Sequence, residues 1–256
     1  MCLILFAWNA HPDYELVVAA NRDEFHARPT AAASFWQDEP TVLAGRDLQA
    51  GGTWMGVSRN GRFAAITNYR EPAAPEIPLE RSRGVLVRDF LTSRAGPGVT
   101  AENLEHDGSQ YRGFNLLLGH PGELDYVSNR GRPAETVAPG IHGLSNHLLN
   151  TDWPKIHEGR ERLADIVERD DIDREALFAL MTDRSPVGGT LPGGEVPRLA
   201  PEDLVRHYFI GSPVYGTRST TVLLIGRNGR VIFEERRFNP QGEYDGVSAF
   251  EFERVL

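Results

Sequence analysis

The run Cys2-Leu-Ile-Leu-Phe-Ala-Trp8, the turn former His11-Pro-Asp13 and the run Glu15-Leu-Val-Val-Ala-Ala-Asn21 decide the fold. Two apolar runs of strand length separated by a turn signal predict an antiparallel hairpin, with strands over 3–9 and 15–21. The same signature recurs outward along the chain. Segments 53–58 and 62–68 flank Asn60-Gly61, the strongest two-residue hairpin signal. Segments 114–119 and 124–128 face each other across His120-Pro-Gly122, and 221–226 and 230–236 flank Asn228-Gly229. Between these hairpins, 83–92 carries apolar residues at 85, 86, 87, 90 and 91, the spacing of an amphipathic helix. A second helix is predicted over 153–167, with Thr151 or Asp152 as N-cap, and a third over 174–181, capped by Asp173. The Gly- and Pro-rich stretch 185–200 reads as a loop. Antiparallel hairpins with segregated helices predict an α+β fold in which two sheets pack together under helices.

The chain of 256 residues is long enough to bury a substantial core, and no repeat, composition shift or charge block divides it. We therefore read one domain over 1–256. With a net charge of −9, nothing suggests the broad basic face that nucleic-acid binding requires, and no nucleic-acid partner is expected. Lys155 is the only lysine, against 26 arginines. That bias fits arginine-rich codon usage, or else an anion-handling surface, because the planar guanidinium holds carboxylates and phosphates; the sequence does not localise such a surface. The first apolar run is too short to span a bilayer and lacks a basic leader, so a cytoplasmic protein without an integral membrane segment is expected. One cysteine excludes an intramolecular disulfide. His142 and His147 lack a third ligand at a telling spacing, so no metal site is predicted. Gly51-Gly-Thr-Trp-Met-Gly56 lacks the lysine of a phosphate loop and reads as a tight bend with Trp54 packed beneath it.

Cys2 is the most informative position. Removal of Met1 would expose an α-amine with a pKa near 8 on a thiol-bearing residue, a nucleophile that carries its own base. The competing role is a small hydrophobe at the start of a strand. Asn21-Arg22-Asp23-Glu24 follows the second apolar run, so an Arg22–Asp23 pair at that strand end can hold a thiolate and orient the amine; a solvated polar turn is the plainer alternative. Asn68 and Asn146 also follow apolar runs and suit oxyanion donation, or form Asx turns. Arg218, before the apolar run 222–225, is placed to bind a carboxylate or the Asp23 side chain, or to lie exposed at a strand edge.

Taken together, Met1-Cys2, Ala19-Ala-Asn-Arg-Asp-Glu-Phe25 with Arg28-Pro29, Gly51-Gly-Thr-Trp-Met-Gly56, Thr67-Asn-Tyr69, Gly113-Phe-Asn-Leu116, Gly143-Leu-Ser-Asn146 and Tyr215-Gly-Thr-Arg218 resemble the NRDE-motif family, also called the transport and Golgi organisation 2 family. The resemblance implies a four-layer αββα sandwich of mostly antiparallel sheets, the scaffold of N-terminal-nucleophile hydrolases. By similarity to penicillin V acylases and bile-salt hydrolases, it puts Cys2, Arg22, Asp23, Asn68, Asn146 and Arg218 in the catalytic places; Asn21 and Glu24 have no settled role in that scheme. Two functions follow as expectations. One is a cysteine amidohydrolase acting on a small linear amide or acyl-type ligand, which needs no cofactor. The other is a non-catalytic protein that binds and traffics haem, acyl-CoA or lipid.

Overall fold

The computed structural model describes residues 2–71, 81–131, 133–187 and 205–255. The first hairpin pairs β1 (Cys2–Trp8) with β2 (Tyr14–Phe25). There follow β3 (Thr30–Phe35), β4 (Val42–Asp47), β5 (Met55–Ser58) and β6 (Phe63–Asn68), then helices α1 (Gly84–Thr92) and α2 (Pro97–Asp107). Strands β7 (Phe114–His120), β8 (Glu123–Ser128), β9 (Glu135–Thr136) and β10 (Gly140–Leu144) lead into α3 (Pro154–Val167) and α4 (Arg174–Thr182). The last three strands are β11 (Tyr215–Gly226), β12 (Arg230–Phe238) and β13 (Tyr244–Glu253).

These strands make two antiparallel sheets, ordered β10-β1-β2-β11-β12-β13 and β3-β4-β5-β6-β7-β8-β9. Three apolar cores separate four layers. Leu3, Leu5, Val17, Ala19, Val222 and Leu224 face Ile156, Leu163, Leu177 and Met181 of α3 and α4. Ile4, Phe6, Val18 and Leu223 face Val57, Phe63 and Leu117 of the other sheet. Ala64, Leu116 and Leu118 meet Val87, Phe90 and Leu104 of α1 and α2 on the far side. This is the expected αββα sandwich. It explains why β1 is apolar without alternation: its odd residues enter the helix-side core and its even residues the core between the sheets, so neither face meets water. Burying each such side chain contributes roughly 1.5–3 kcal/mol.

Several elements differ from the sequence expectation. Strand β2 continues past Asn21 to Phe25, because β1 pairs with it as far as Arg22 and β11 as far as Phe25; Arg22 and Asp23 therefore lie within a strand, not in a turn after one. Strand β11 begins at Tyr215, six residues earlier than the apolar run. Helix α3 starts at Pro154 with Trp153 as its N-cap, since proline needs no amide partner at the first position. Asp173 does cap α4, accepting from the Glu175 amide at 2.9 Å. Both Asn-Gly turns sit in loops longer than two residues, with Gly61 and Gly229 at φ +81° and +93°, where a side chain would be strained. Helix α2 and the strands β3, β4, β9, β10 and β13 lacked a clear pattern. Of the predicted loop over 185–200, residues 188–200 lie outside the described residues.

Trp54 lies flat against Gly45 of β4: a Cβ there would sit 2.2 Å from Trp54 Cη2. The absent side chain is what allows the indole into this position. Gly45→Ala is accordingly expected to destabilise the protein by about 1–3 kcal/mol through overpacking, read as a lowered midpoint in denaturant unfolding at unchanged slope.

Candidate functional site

Cys2 opens β1 and is paired directly with Arg22 of β2. Both belong to the even set of residues that faces the second sheet, and both line a cleft of about 260 Å³ with Asp23, Trp54, Ile66 and Asn68. Arg22 is 5% exposed. Its guanidinium stacks 4.2 Å above the Trp54 ring, and its Nη1 finds no hydrogen-bond partner among the described residues. Stacking on an aromatic face offsets part of the cost of burial, but a buried donor left unsatisfied still costs about 1–3 kcal/mol. Burial lowers the Arg22 pKa, opposed by the nearby Cys2 and Glu24.

The thiol does not titrate as an Arg22 neighbour alone would predict. Cys2 keeps some exposed surface, yet burial of its sulfur raises the pKa above that of an ordinary thiol, outweighing the backbone amide of Asp23 and the Arg22 charge, which lower it. Desolvation is the largest effect on the thiol and opposes the charges that favour its thiolate.

Asp23 is also buried, and burial raises its carboxyl pKa. Thr217 donates to its Oδ1 at 2.7 Å and the Tyr215 hydroxyl to its main-chain oxygen at 3.0 Å. Lys155, 1% exposed in the first turn of α3, is the charged group that sequence reasoning passed over. Burial pushes its ammonium down to about 8, while Asp23 and then Cys2 favour the charged form. The signal was present: one lysine in a chain that otherwise uses arginine marks a position that arginine does not fill.

Asn68 is exposed at the end of β6 and lines the cleft. Asn146 is buried behind it, donating from Nδ2 to the Asn68 main-chain oxygen at 2.8 Å and accepting the Arg70 amide on its own carbonyl at 2.8 Å. Ser145 bonds the Cys2 carbonyl at 2.9 Å, so this segment ties β1 to β6. Arg218 falls at the register shift between Thr217 and Ser219, which turns it away from Asp23. Its Nη1 bonds the main-chain oxygens of Arg28 at 2.5 Å and Phe25 at 3.3 Å, so it holds the β2–β3 turn and does not line the cleft. The ring nitrogens of His142 contact Ala138 O and Asn150, and those of His147 contact Tyr69 and Thr151.

A family model described as "Transport and Golgi organisation 2" matches residues 1–240. The "Transport and Golgi organization protein 2 homolog" of Bos taurus is 38% identical over 92% of both chains, and that of Homo sapiens 36% identical, again over 92% of both. Among solved structures, the Caenorhabditis elegans ortholog of N-acylethanolamine-hydrolyzing acid amidase covers 87% of this chain and 92% of its own at TM-score 0.52 and 13% identity. A conjugated bile acid hydrolase from Clostridium perfringens covers 98% and 92% at TM-score 0.53 and 10% identity. Both likenesses are of fold. No helix among the described residues is long and apolar enough to cross a membrane.

Two outcomes follow from the buried charges. Iodoacetamide should alkylate Cys2 at neutral pH more slowly in the native protein than in the denatured chain, since the thiol stays protonated. Lys155 has a lower pKa folded than unfolded, so its burial penalty is fully present below pH 8 and disappears as pH rises toward 10.5. Wild type should therefore gain stability relative to Lys155→Met across that window, by up to about 3 kcal/mol, with both proteins carrying Cys2→Ala so that the thiol does not titrate alongside.

Proposed function

Because the chain belongs to the Transport and Golgi organisation 2 family and has the fold of N-terminal-nucleophile amide hydrolases, we propose that it cleaves the C–N bond of a linear amide with Cys2 as nucleophile. The observation that carries this reading is the cleft in which the Cys2 thiol, Arg22, Asp23 and Asn68 meet, with Cys2 and Arg22 directly paired across two central strands.

With Met1 removed, the α-amine of Cys2 takes the thiol proton as sulfur bonds to the amide carbon, and the carbonyl electron pair moves onto oxygen. A raised thiol pKa suits this order of events, because the proton leaves during attack and not before it. The Asn68 side chain is the oxyanion donor available in the cleft, and Asn146 is a positioning residue that holds the Asn68 backbone. Collapse breaks the C–N bond, and the departing nitrogen receives the proton from the α-ammonium. Water then attacks the thioester, its proton passing to the amine, and releases the carboxylic acid with the free thiol. Asp23, held by Thr217, orients the amine, and Lys155 balances its charge. Arg218 acts at one remove by fixing the turn that follows β2.

The test compares the protein with Cys2 exposed, verified by intact mass, against a form in which a blocked start retains Met1. N-acyl amino acids and related amides serve as substrates. Turnover is expected only with Cys2 exposed, and a fall of at least about 10³-fold is expected on Met1 retention or Cys2→Ala, the scale of losing a nucleophile or its base. Equal turnover in the Met1-retaining form overturns the mechanism. Absence of turnover in both forms, with tight binding of haem or acyl-CoA to both, replaces the hydrolase with a carrier of that cargo.

A further inference from the structure

Two histidines that the proposed reaction does not use hold the segment 143–151, which leads from β10 toward α3 and carries Ser145 and Asn146. The partners of each ring fix which nitrogen bears the proton. His142, in β10, places Nε2 2.8 Å from the main-chain oxygen of Ala138, which only accepts, so Nε2 is the donor. Its Nδ1 lies 3.0 Å from Asn150 Nδ2, which only donates. The Asn150 amide is fixed in that sense because its Oδ1 accepts the Gly143 amide at 3.0 Å. His147 is the reverse case. Thr151 gives its one hydroxyl proton to the Leu148 main-chain oxygen at 2.7 Å, so it accepts from His147 Nδ1 at 2.9 Å. That leaves His147 Nε2 as the acceptor for the Tyr69 hydroxyl, 3.1 Å away. Both rings are therefore neutral, with opposite tautomers. Aromatic neighbours keep them in place: Phe6 stacks on His142 at 5.1 Å between ring centres, and Tyr69 and Trp153 pack on His147 at 5.1 and 6.1 Å.

We infer that His142 and His147 are positioning residues: neutral imidazoles of opposite tautomer that clasp segment 143–151, His142 closing its ends through Asn150 and His147 tying it to Tyr69, so that the segment sets Asn68 against Cys2. The role given to Asn68 rests on the amidase reading; the clasp itself does not. Ser145 Oγ donates to the Cys2 main-chain oxygen at 2.9 Å and Asn146 Nδ2 to that of Asn68 at 2.8 Å, so adjacent residues of one segment grip both strand ends that line the cleft. The Arg70 amide donates to the Asn146 main-chain oxygen at 2.8 Å, which extends the grip past Tyr69. At the other end the Asn150 amide donates to the Gly143 main-chain oxygen at 2.8 Å from a φ of +58°, a conformation that asparagine tolerates better than most residues. A proton added to either ring turns an acceptor nitrogen into a donor. At His142 it would face the Asn150 NH₂ group, which cannot reverse without giving up Gly143. At His147 it would face the Tyr69 hydroxyl, which can rotate and accept. The charges around the two rings differ. Arg160, which donates to the Ile141 main-chain oxygen at 2.9 Å, opposes a cation at His142, and Glu135 favours one less strongly. Tyr69 is the titratable group against His147 among the described residues, and Lys155 Nζ lies 5.8 Å from the far neighbour, the Trp153 ring. Burial is the largest influence on both and holds each pKa below the ordinary imidazole value.

The experiment begins with nitrogen NMR of the wild-type protein carrying ¹⁵N-labelled histidine, the two resonances being assigned with His142→Gln and His147→Asn. Near neutral pH, His142 is expected as the Nε2–H tautomer and His147 as the Nδ1–H tautomer, a result that does not depend on any variant folding. The second measurement is hydrogen exchange at the Arg70 and Asn150 amides, with the Val18 amide in the middle of the sheet as control. Tyr69→Phe, which removes the hydroxyl donor and little else, should speed exchange at Arg70 at least about tenfold while Val18 is unchanged. His142→Gln, which still reaches Ala138 but offers Asn150 no acceptor, should do the same at Asn150. His147→Gln, whose side-chain oxygen can accept from Tyr69, should keep exchange at Arg70 slower than in Tyr69→Phe. With N-acyl amino acids as substrates, Tyr69→Phe should lower kcat about tenfold at unchanged KM, because a displaced oxyanion donor is felt in the transition state. An Nε2–H tautomer at His147, an imidazolium at either site near neutral pH, or wild-type exchange at Arg70 and Asn150 in the variants overturns the inference. The two readings fail separately. The expected tautomers and exchange without amide turnover remove the amidase and leave the clasp, whereas turnover with a kcat that Tyr69→Phe does not move keeps the amidase and removes the positioning role.

Discussion

The structure depends on the double pairing of β2. Strand β1 binds one edge of it from Trp8 to Cys2, and β11 binds the other from Tyr215 to Gly226. Both edges are paired as far as Arg22, and β11 alone continues along Asp23, Glu24 and Phe25, so the Asn-Arg-Asp-Glu motif is carried by paired backbone and not by a free turn. The register does the rest. Because Cys2 pairs with Arg22, the first residue of the chain's first strand is carried to the same point as a motif twenty positions away, and the period of two turns both toward the second sheet.

That arrangement is costly in isolation. Arg22, Asp23, Lys155 and Glu235 are all nearly inaccessible to water, and burial pushes each pKa toward its neutral form. Replacing a buried ion cluster by apolar residues commonly stabilises a fold, whereas removing one member of it destabilises. Such clusters are tolerated where their perturbed titration is useful, and their position beside a cleft agrees with the functional reading. The sandwich supplies the compensation through three apolar cores, one in each gap between layers.

Much of this was legible in the sequence, and the rest was hidden for identifiable reasons. Hairpins with strong turn chemistry and wholly apolar strands, such as β1–β2, announced themselves. Strand β13 did not, because it lies at a sheet edge and its Tyr244-Asp-Gly-Val-Ser-Ala-Phe-Glu-Phe-Glu253 mixes charges with half-buried aromatics; Phe250 and Phe252, packed edge-on to Phe35, tie it to the core. Helix α2 is polar along most of its length and buries only Pro97, Ala101 and Leu104, too few to reveal a period. At the site, the residues on paired strands were found by their motif. Lys155 was not, since nothing local distinguishes a lysine in the first turn of a helix from a solvated one. Of the neighbours considered for Arg218, the Asp23 side chain is not among those it hydrogen-bonds, because a bulge in the register is invisible to spacing along the chain.

The same register gives Asn21 and Glu24 roles that the sequence left open. Asn21 points to the helix side of β2, where its Nδ2 donates to the main-chain oxygens of Met181 at 2.7 Å and Tyr208 at 2.8 Å, and its Oδ1 accepts Thr220 at 2.6 Å. Every hydrogen bond its amide is engaged in runs to another element, so it fastens the end of α4 and the segment before β11 onto the sheet. Glu24, one residue past the buried pair, turns to Arg28 and through it to Asp47, closing the strand against the end of β4. The four residues of the motif therefore divide by the alternation of the strand: Asn21 anchors the helical layer, Arg22 enters the cleft, Asp23 joins β11 through Thr217, and Glu24 braces the mouth. A motif read along the chain as one cluster of polar groups is, in space, four separate attachments, and it is their separation that leaves Arg22 paired with the thiol-bearing strand end.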